Sequence, residues 1–204
     1  MKPVSIILCG GKERRFGRSK ATAVVGGVTV LQRVIGVLGP LSRQVIVVTS
    51  PEKADIAVGN GVVLVTDAYP GRGPLGGIYT GLLRSESDLA IAVACDMPFL
   101  NGALLARMVE LAGGFDAVVP RLADTMIEPL HAVYARTCLA PMKARLEAGQ
   151  LSIAPLLREL RVRYLEKEEC LPFDPRLLSF FNINYPDDLE RANRIAAEVD
   201  AARA

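Results

Sequence analysis

Residues 8–20 read Leu8-Cys9-Gly10-Gly11-Lys12-Glu13-Arg14-Arg15-Phe16-Gly17-Arg18-Ser19-Lys20, with three glycines and, from Lys12 to Lys20, five basic side chains. Glycine lets a backbone turn sharply and bring its N–H groups close to phosphate oxygens. Arg15 can fork onto two such oxygens, and Lys20 can act as a point charge. The alternative is a solvated basic loop that happens to contain glycine; its position directly after the apolar run Val4–Leu8 favours polyanion binding. Two acidic groups end similar runs: Asp67 follows Val62–Val65, and Asp96 follows Leu89–Ala94. Each has a plain structural alternative, an Asx turn before Ala68-Tyr69-Pro70 for Asp67 and a turn or cap before Pro98 for Asp96. Near the C-terminus Asn182 and Asn184 stand two apart. In an extended segment that spacing puts both carboxamides on one face, suited to a ligand rich in oxygen and nitrogen. Asn184 also precedes Tyr185-Pro186, where it could serve the start of a helix instead.

Other chemistries are poorly supplied. The P-loop pattern GxxxxGK[ST] is absent, because Gly11-Lys12 is followed by Glu13. The string Gly71-Arg72-Gly73-Pro74-Leu75-Gly76 has the spacing of a dinucleotide fingerprint. However, Asp67-Ala68-Tyr69-Pro70 separates it from the preceding apolar run, so its first glycine does not make a strand-to-helix turn. His131 is the only histidine and sits in an apolar stretch, which suits a structural role. There is no GxSxG and no evident Cys–His pairing to support covalent hydrolysis. A phosphate attacking the α-phosphorus of a nucleotide needs no base, since a phosphate monoester is already largely ionised at neutral pH. Positioning and charge neutralisation suffice.

Positioning demands a scaffold, and the chain alternates between two periods. Strands are expected at Val4–Leu8, Val45–Val48, Val62–Val65, Leu89–Ala94, Ala117–Val119, Glu128–Tyr134 and near Val162–Leu165. Helices are expected from a Thr29 cap to about Leu38 with a stop at Gly39-Pro40, and from Pro74 to about Arg84. Further helices are expected over Gly102–Leu111, Arg136–Glu147, Ile153–Leu160 and Pro186 to about Val199. Strands separated by helices imply βαβ units, a mostly parallel sheet and a Rossmann-like α/β fold. Ligands of such sheets bind at the carboxyl ends of the strands. The loops after Leu8, Val48, Val65 and Ala94 are therefore the place for a site.

The 204 residues suit one domain spanning 1–204, and no repeat or linker divides them. A net charge of +2 gives no global attraction to nucleic acid or membrane, and no window is apolar enough to span a bilayer. Cys9, Cys95, Cys138 and Cys170 are dispersed without a CxxC pair, which argues against disulfides and zinc and for a reducing cytoplasm.

The string GGxxxRxGxxK from Gly10 to Lys20 resembles the signature of nucleotidyltransferases. Gly73-Pro74-Leu75-Gly76-Gly77, Cys95-Asp96-Met97-Pro98-Phe99, Glu128-Pro129-Leu130 and Phe181–Leu189 follow it in order. Together these segments resemble the molybdenum cofactor guanylyltransferases, the MobA family, over essentially the whole chain. The resemblance implies the nucleotide-diphospho-sugar transferase type of three-layer sandwich and transfer of GMP from GTP to molybdopterin with Mg²⁺, releasing pyrophosphate. It also implies that Leu8, Cys9, Gly10, Gly11, Lys20 and Asp67 contact GTP and that Asp96 both contacts it and holds the metal. On this reading Arg15, Lys20 and Asp96 carry catalysis, and Asn182 and Asn184 face molybdopterin. Mg²⁺ takes one or two carboxylates together with phosphate oxygens and water, so Asp96 with Asp67 nearby is sufficient. Implied partners extend to a GTP-binding adaptor or the chaperones of molybdoenzymes. The chain departs from the family in carrying Cys9 where Ala is usual and in lacking one residue between Gly17 and Lys20. Neither departure removes a charge. A molybdopterin cytidylyltransferase would open with an Ala-Ala-Gly-x-Ser type of loop. Sugar-phosphate nucleotidyltransferases would carry Thr-Arg-Leu and a Pro before the Lys. A non-catalytic nucleotide-binding regulator would have no need of Asp96.

Overall fold

The computed structural model describes residues 2–10, 20–53 and 56–201. In chain order the strands and helices are β1 Val4–Leu8, β2 Val24–Val25, β3 Val28–Thr29, α1 Val30–Leu41, β4 Gln44–Thr49, β5 Val62–Thr66, α2 Gly73–Arg84, β6 Leu89–Ala94, α3 Gly102–Glu110 and β7 Ala117–Ala123. They continue with β8 Met126–Ile127, β9 His131–Ala135, α4 Leu139–Glu147, α5 Ile153–Leu157, β10 Val162–Glu166, α6 Lys167–Cys170 and α7 Pro186–Ala201.

The main sheet runs β10-β7-β9-β6-β1-β4-β5, with β8 paired to β7. Pairs β1–β4, β1–β6, β4–β5 and β7–β10 are parallel. Strand β9 runs against both β6 and β7. Continuous apolar runs such as Val4–Leu8 are required because both faces of the sheet are covered. Ile7 points into a core shared with α1, α3 and α7, whereas Ile6 and Leu8 point into a second core shared with α2, α4 and α5. Each large aliphatic side chain buried this way contributes roughly 1.5–3 kcal/mol. This is the three-layer α/β architecture expected from the alternation.

The Thr29 cap is present as a full capping box. Its hydroxyl accepts the Gln32 N–H at 3.2 Å, and the Gln32 side chain accepts the Thr29 N–H at 3.0 Å. The helix does not stop at Gly39-Pro40 but continues to Leu41. In this last turn the Ser42 N–H closes onto the Gly39 carbonyl, and the Lys2 ammonium donates to the Pro40 carbonyl at 3.1 Å. The expected strand from Glu128 begins only at His131, because Glu128-Pro129-Leu130 forms a turn. The helix at Ile153 ends at Leu157 instead of Leu160, and Arg136–Cys138 is a 3-10 turn leading into α4.

Candidate functional site

In the sheet register Leu8 pairs with Val48 on one side and Ala94 on the other, and Thr49 pairs with Thr66. The strands therefore end at one level, and the backbone leaving them stays stitched together. The Cys9 N–H donates to the Val48 carbonyl at 2.8 Å, Cys95 N–H to Leu8 at 3.1 Å, and Asp67 N–H to Thr49 at 2.8 Å. The chain leaves β1 toward β4 on one side, while β6 lies on the other. That reversal opens a crevice where ligands of such sheets bind. A cavity of about 610 Å³ lies there, lined on one side by Cys9, Gly10, Ser50 and Asp67 and on the other by Asp96, Glu128, Leu130 and Asn182.

Helix α2 supplies the third wall. Gly73, Pro74 and Gly77 line the cavity at its N-terminus, where the N-cap Arg72 makes no side-chain capping bond among the described residues. Uncapped N–H groups and the helix dipole favour an anion there. The helix reaches this position because glycines let it lie directly on β1. A Cβ on Gly77 would stand 2.8 Å from Leu8 Cδ2, and one on Gly81 would stand 2.5 Å from Ile6 Cγ2. This close packing belongs to Gly77 and Gly81, beyond the Gly71–Gly76 string, whose Gly71 and Gly73 take positive φ in the turn that enters the helix.

Asp67 satisfies both of its readings. Its Oδ1 accepts from the Tyr69 N–H at 2.9 Å, an Asx turn, and from the Thr80 hydroxyl at 2.9 Å. It nevertheless lines the cavity, with Oδ2 next to Gly76, where an added Cβ would come within 3.3 Å. Asp96 stands two residues beyond β6 at the cavity wall, and its carbonyl accepts the Ile183 N–H at 3.0 Å. That bond joins the C-terminal Asn motif to the metal-ligand candidate. Ile183 is fully buried, and Asn182 lines the cavity while its Nδ2 donates to the Phe180 carbonyl at 3.0 Å. Asn184 is exposed and is not among the cavity-lining residues. The backbone N–H groups of Asn184 and Tyr185 both donate to Asp188 Oδ2 at 2.8 Å, which fastens the segment entering α7.

Gly11 and Arg15 lie outside the described residues. For Lys20 only the backbone is described, at the head of the 3-10 turn Lys20–Thr22. Among the described residues no cluster of three or more His, Cys, Asp or Glu is arranged to hold a metal. A pair of cavity carboxylates, Asp67 and Asp96, fits an ion that completes its shell with phosphate oxygens and water. His131 is fully buried and packs edge-on against Phe180 at 4.8 Å between ring centroids. Its ring nitrogens have no hydrogen-bond partner among the described residues, and burial lowers its pKa to about 4. It is a neutral core residue, not a base.

Sequence reasoning gave no role to Ser50, Met97 or Glu128, all of which line the cavity. Ser50 follows an expected strand end and Met97 follows Asp96. Glu128 opens an expected strand, and the segment Glu128-Pro129-Leu130 contributes to the family resemblance without assigning its carboxylate a role.

Residues 5–164 match the model of the MobA-like NTP transferase domain. The chain is 34% identical over 198 residues to the probable molybdenum cofactor guanylyltransferase of Pelotomaculum thermopropionicum, covering 97% of this chain and 95% of that one. It is 36% identical over 189 residues to the molybdenum cofactor guanylyltransferase of Desulfosudis oleivorans, covering 92% of each. The crystal structure of molybdopterin-guanine dinucleotide biosynthesis protein A from Archaeoglobus fulgidus superposes with a TM-score of 0.83 at 29% identity, covering 96% of this chain and 99% of that one.

Proposed function

This chain belongs to the MobA-like NTP transferase family, and from that premise we propose that it transfers GMP from GTP to molybdopterin, forming the guanine dinucleotide of the cofactor and pyrophosphate. The observation that carries the reading is the cavity at the β1/β6 crevice. There an uncapped helix N-terminus and two carboxylates meet below the strand that leads into the basic loop. The relatives' names give the substrates.

In the proposed reaction the terminal phosphate of molybdopterin attacks the α-phosphorus of GTP. The bond from that phosphorus to the bridging oxygen breaks, and pyrophosphate leaves with the electron pair. GTP lies along the β1/β4/β5 side, held by the backbone of Leu8, Cys9, Gly10 and Gly11 and by Lys20 and Asp67. Arg15 and Lys20 neutralise charge that builds on the leaving group, and the α2 N-terminus adds fixed positive potential. Asp96, with Asp67, would hold the divalent ion, Mg²⁺ in this reading, which when bound neutralises phosphate charge. Asn182 faces the acceptor from the cavity wall, while Asn184 lies beyond the lining. No titrating base is needed, consistent with a buried, neutral His131.

The test is pyrophosphate release with molybdopterin as acceptor and GTP, CTP or ATP as donor. GTP is expected to be preferred by tenfold or more, on the order of what a few discriminating hydrogen bonds supply. Equal or faster turnover with CTP makes the chain a cytidylyltransferase, and no release with any of the three overturns the reading.

A further inference from the structure

Across the cavity from Cys9, Ser50 and Asp67 stands the turn Glu128-Pro129-Leu130, and its backbone is fastened at four points. The Glu128 N–H donates to the Pro120 carbonyl at 2.9 Å, and the Glu128 carbonyl accepts from His131 at 3.1 Å. The Pro129 carbonyl accepts the Tyr134 hydroxyl at 2.8 Å, and the Leu130 carbonyl accepts the Ala94 N–H at 3.1 Å. So fixed a turn places its side chain at a defined point. The half-buried Glu128 lines the cavity, and its carboxylate has no hydrogen-bond or ion-pair partner among the described residues. Burial raises its pKa from the ordinary value, the mark of a carboxyl group losing water without gaining a partner. A partly desolvated acceptor of this kind is costly unless a ligand supplies donors.

Phosphates supply none, and neither does a dithiolene. A pterin does: its 2-amino group and the adjacent ring N–H are parallel donors spaced to meet the two oxygens of one carboxylate. We propose that Glu128 reads the 2-amino-4-oxopyrimidine edge of the acceptor's pterin and so fixes which small molecule may receive the nucleotide. The inference rests on the guanylyltransferase reading above. Guanine carries the same edge, but Glu128 shares its wall with Asn182 and Leu130 beyond β6, opposite the β1/β4/β5 loops assigned to the nucleotide.

Glu128→Gln keeps the volume and turns one acceptor into a donor facing the ligand's donors; Glu128→Ala removes both acceptors. With either variant the KM for molybdopterin is expected to rise about 10- to 100-fold, the range for loss of a charge-assisted hydrogen bond. The KM for GTP and the Tm should change little. Fluorescence titration with pterin and with lumazine, which lacks the 2-amino group, crosses the two deletions. Wild-type protein should bind pterin about tenfold or more tightly than lumazine, and Glu128→Gln should erase the difference. ITP, which is GTP without its 2-amino group, should be discriminated equally by both proteins. An unchanged molybdopterin KM with an unchanged pterin-to-lumazine ratio overturns the proposal. So does a collapse of the GTP-to-ITP preference, which would move the carboxylate to guanine. The binding arm does not depend on turnover: pterin selectivity in a protein that makes no guanine dinucleotide would sink the reaction and leave this site standing.

Discussion

At the amino edge of β7 the Asp116 carboxylate accepts from the Thr137 hydroxyl at 2.7 Å and from the Arg161 backbone, Nε and Nη2 at 3.0–3.2 Å. Beyond the opposite edge of the same strand pair, the Glu128 carboxylate has no such partner among the described residues. The same functional group is shifted in opposite directions: hydrogen bonds from Arg161 and Thr137 lower the pKa of Asp116 to about 2, and burial raises that of Glu128. Other polar groups at the amino edge are also internally matched. The Ser5 and Ser42 hydroxyls bond each other, and the Arg136 guanidinium donates to the Ser85 carbonyl at 2.5 Å. One end of the sheet closes its polar groups upon themselves to hold the layers together. The other also fastens Asp67 through Tyr69 and Thr80, but leaves the Glu128 carboxylate at the cavity without a partner among the described residues.

The comparison breaks most sharply at Asp96. Asp96→Asn and Lys20→Ala should each lower kcat on the order of 10²–10³, the effect of losing one preorganised electrostatic group. GTP binding should stay within a few-fold in Asp96→Asn, since a metal acts mainly on charge that develops in the transition state. Near-normal turnover in Asp96→Asn would place the metal elsewhere. Gly81→Ala tests the packing beneath the site: its Cβ would meet Ile6, itself fully buried, and overpacking of this kind costs about 1–3 kcal/mol. Chemical denaturation measures that loss, and an unchanged midpoint would show that α2 can lift from β1 freely.

His131 is the third test. Its folded pKa of about 4 lies below the ordinary 6.5, so the unfolded chain takes up the proton first. Stability from this residue is fully present above about pH 6.5 and is lost as pH falls toward 4. His131→Met should therefore flatten the decline between pH 7 and pH 5 by about 1–2 kcal/mol, measured as ΔG against pH. The smallest effect belongs to the amino edge. Asp116→Asn should cost about 1 kcal/mol at pH 7, discounted for partial exposure, with kcat unchanged. Because its folded pKa is depressed, this difference persists above about 3.8 and vanishes as pH falls through about 2. A loss of activity without loss of stability in Asp116→Asn would contradict the division between the two edges.

Much of this division is legible in the chain itself, for a local reason. Val4–Leu8 and Leu89–Ala94 are strands at the stated bounds because burial on both faces demands an unbroken apolar run. Asp67 and Asp96 were found by following such runs to their ends. What escapes is long-range. Nothing near Gly81 announces that Ile6 lies 2.5 Å from where its Cβ would be. The β2–β3 hairpin has only two residues per strand, too few for a period, although Gly26 and Gly27 both take positive φ at its turn. The motif Glu128-Pro129-Leu130 is visible in the chain, but only the fold shows that it is a turn with its glutamate at the cavity. Asn182 and Asn184 share a motif, but only the fold distinguishes the one at the cavity from the one in solvent.

The reversed direction of β9 has a consequence for how such a protein can change. Parallel strands offer the cavity the loops that leave them; those of β1, β4, β5 and β6 lie on the assigned nucleotide side or at Asp96, and that of β7 crosses to β9. An antiparallel strand offers the loop that leads into it, here the segment from Ala123 through β8 to Leu130. Residues added or exchanged there would reshape the acceptor wall while every nucleotide contact keeps its place. An alteration after Ala135 would fall on the far edge beside Asp116. A single strand laid backwards thus separates the two substrates into parts of the chain that can vary independently.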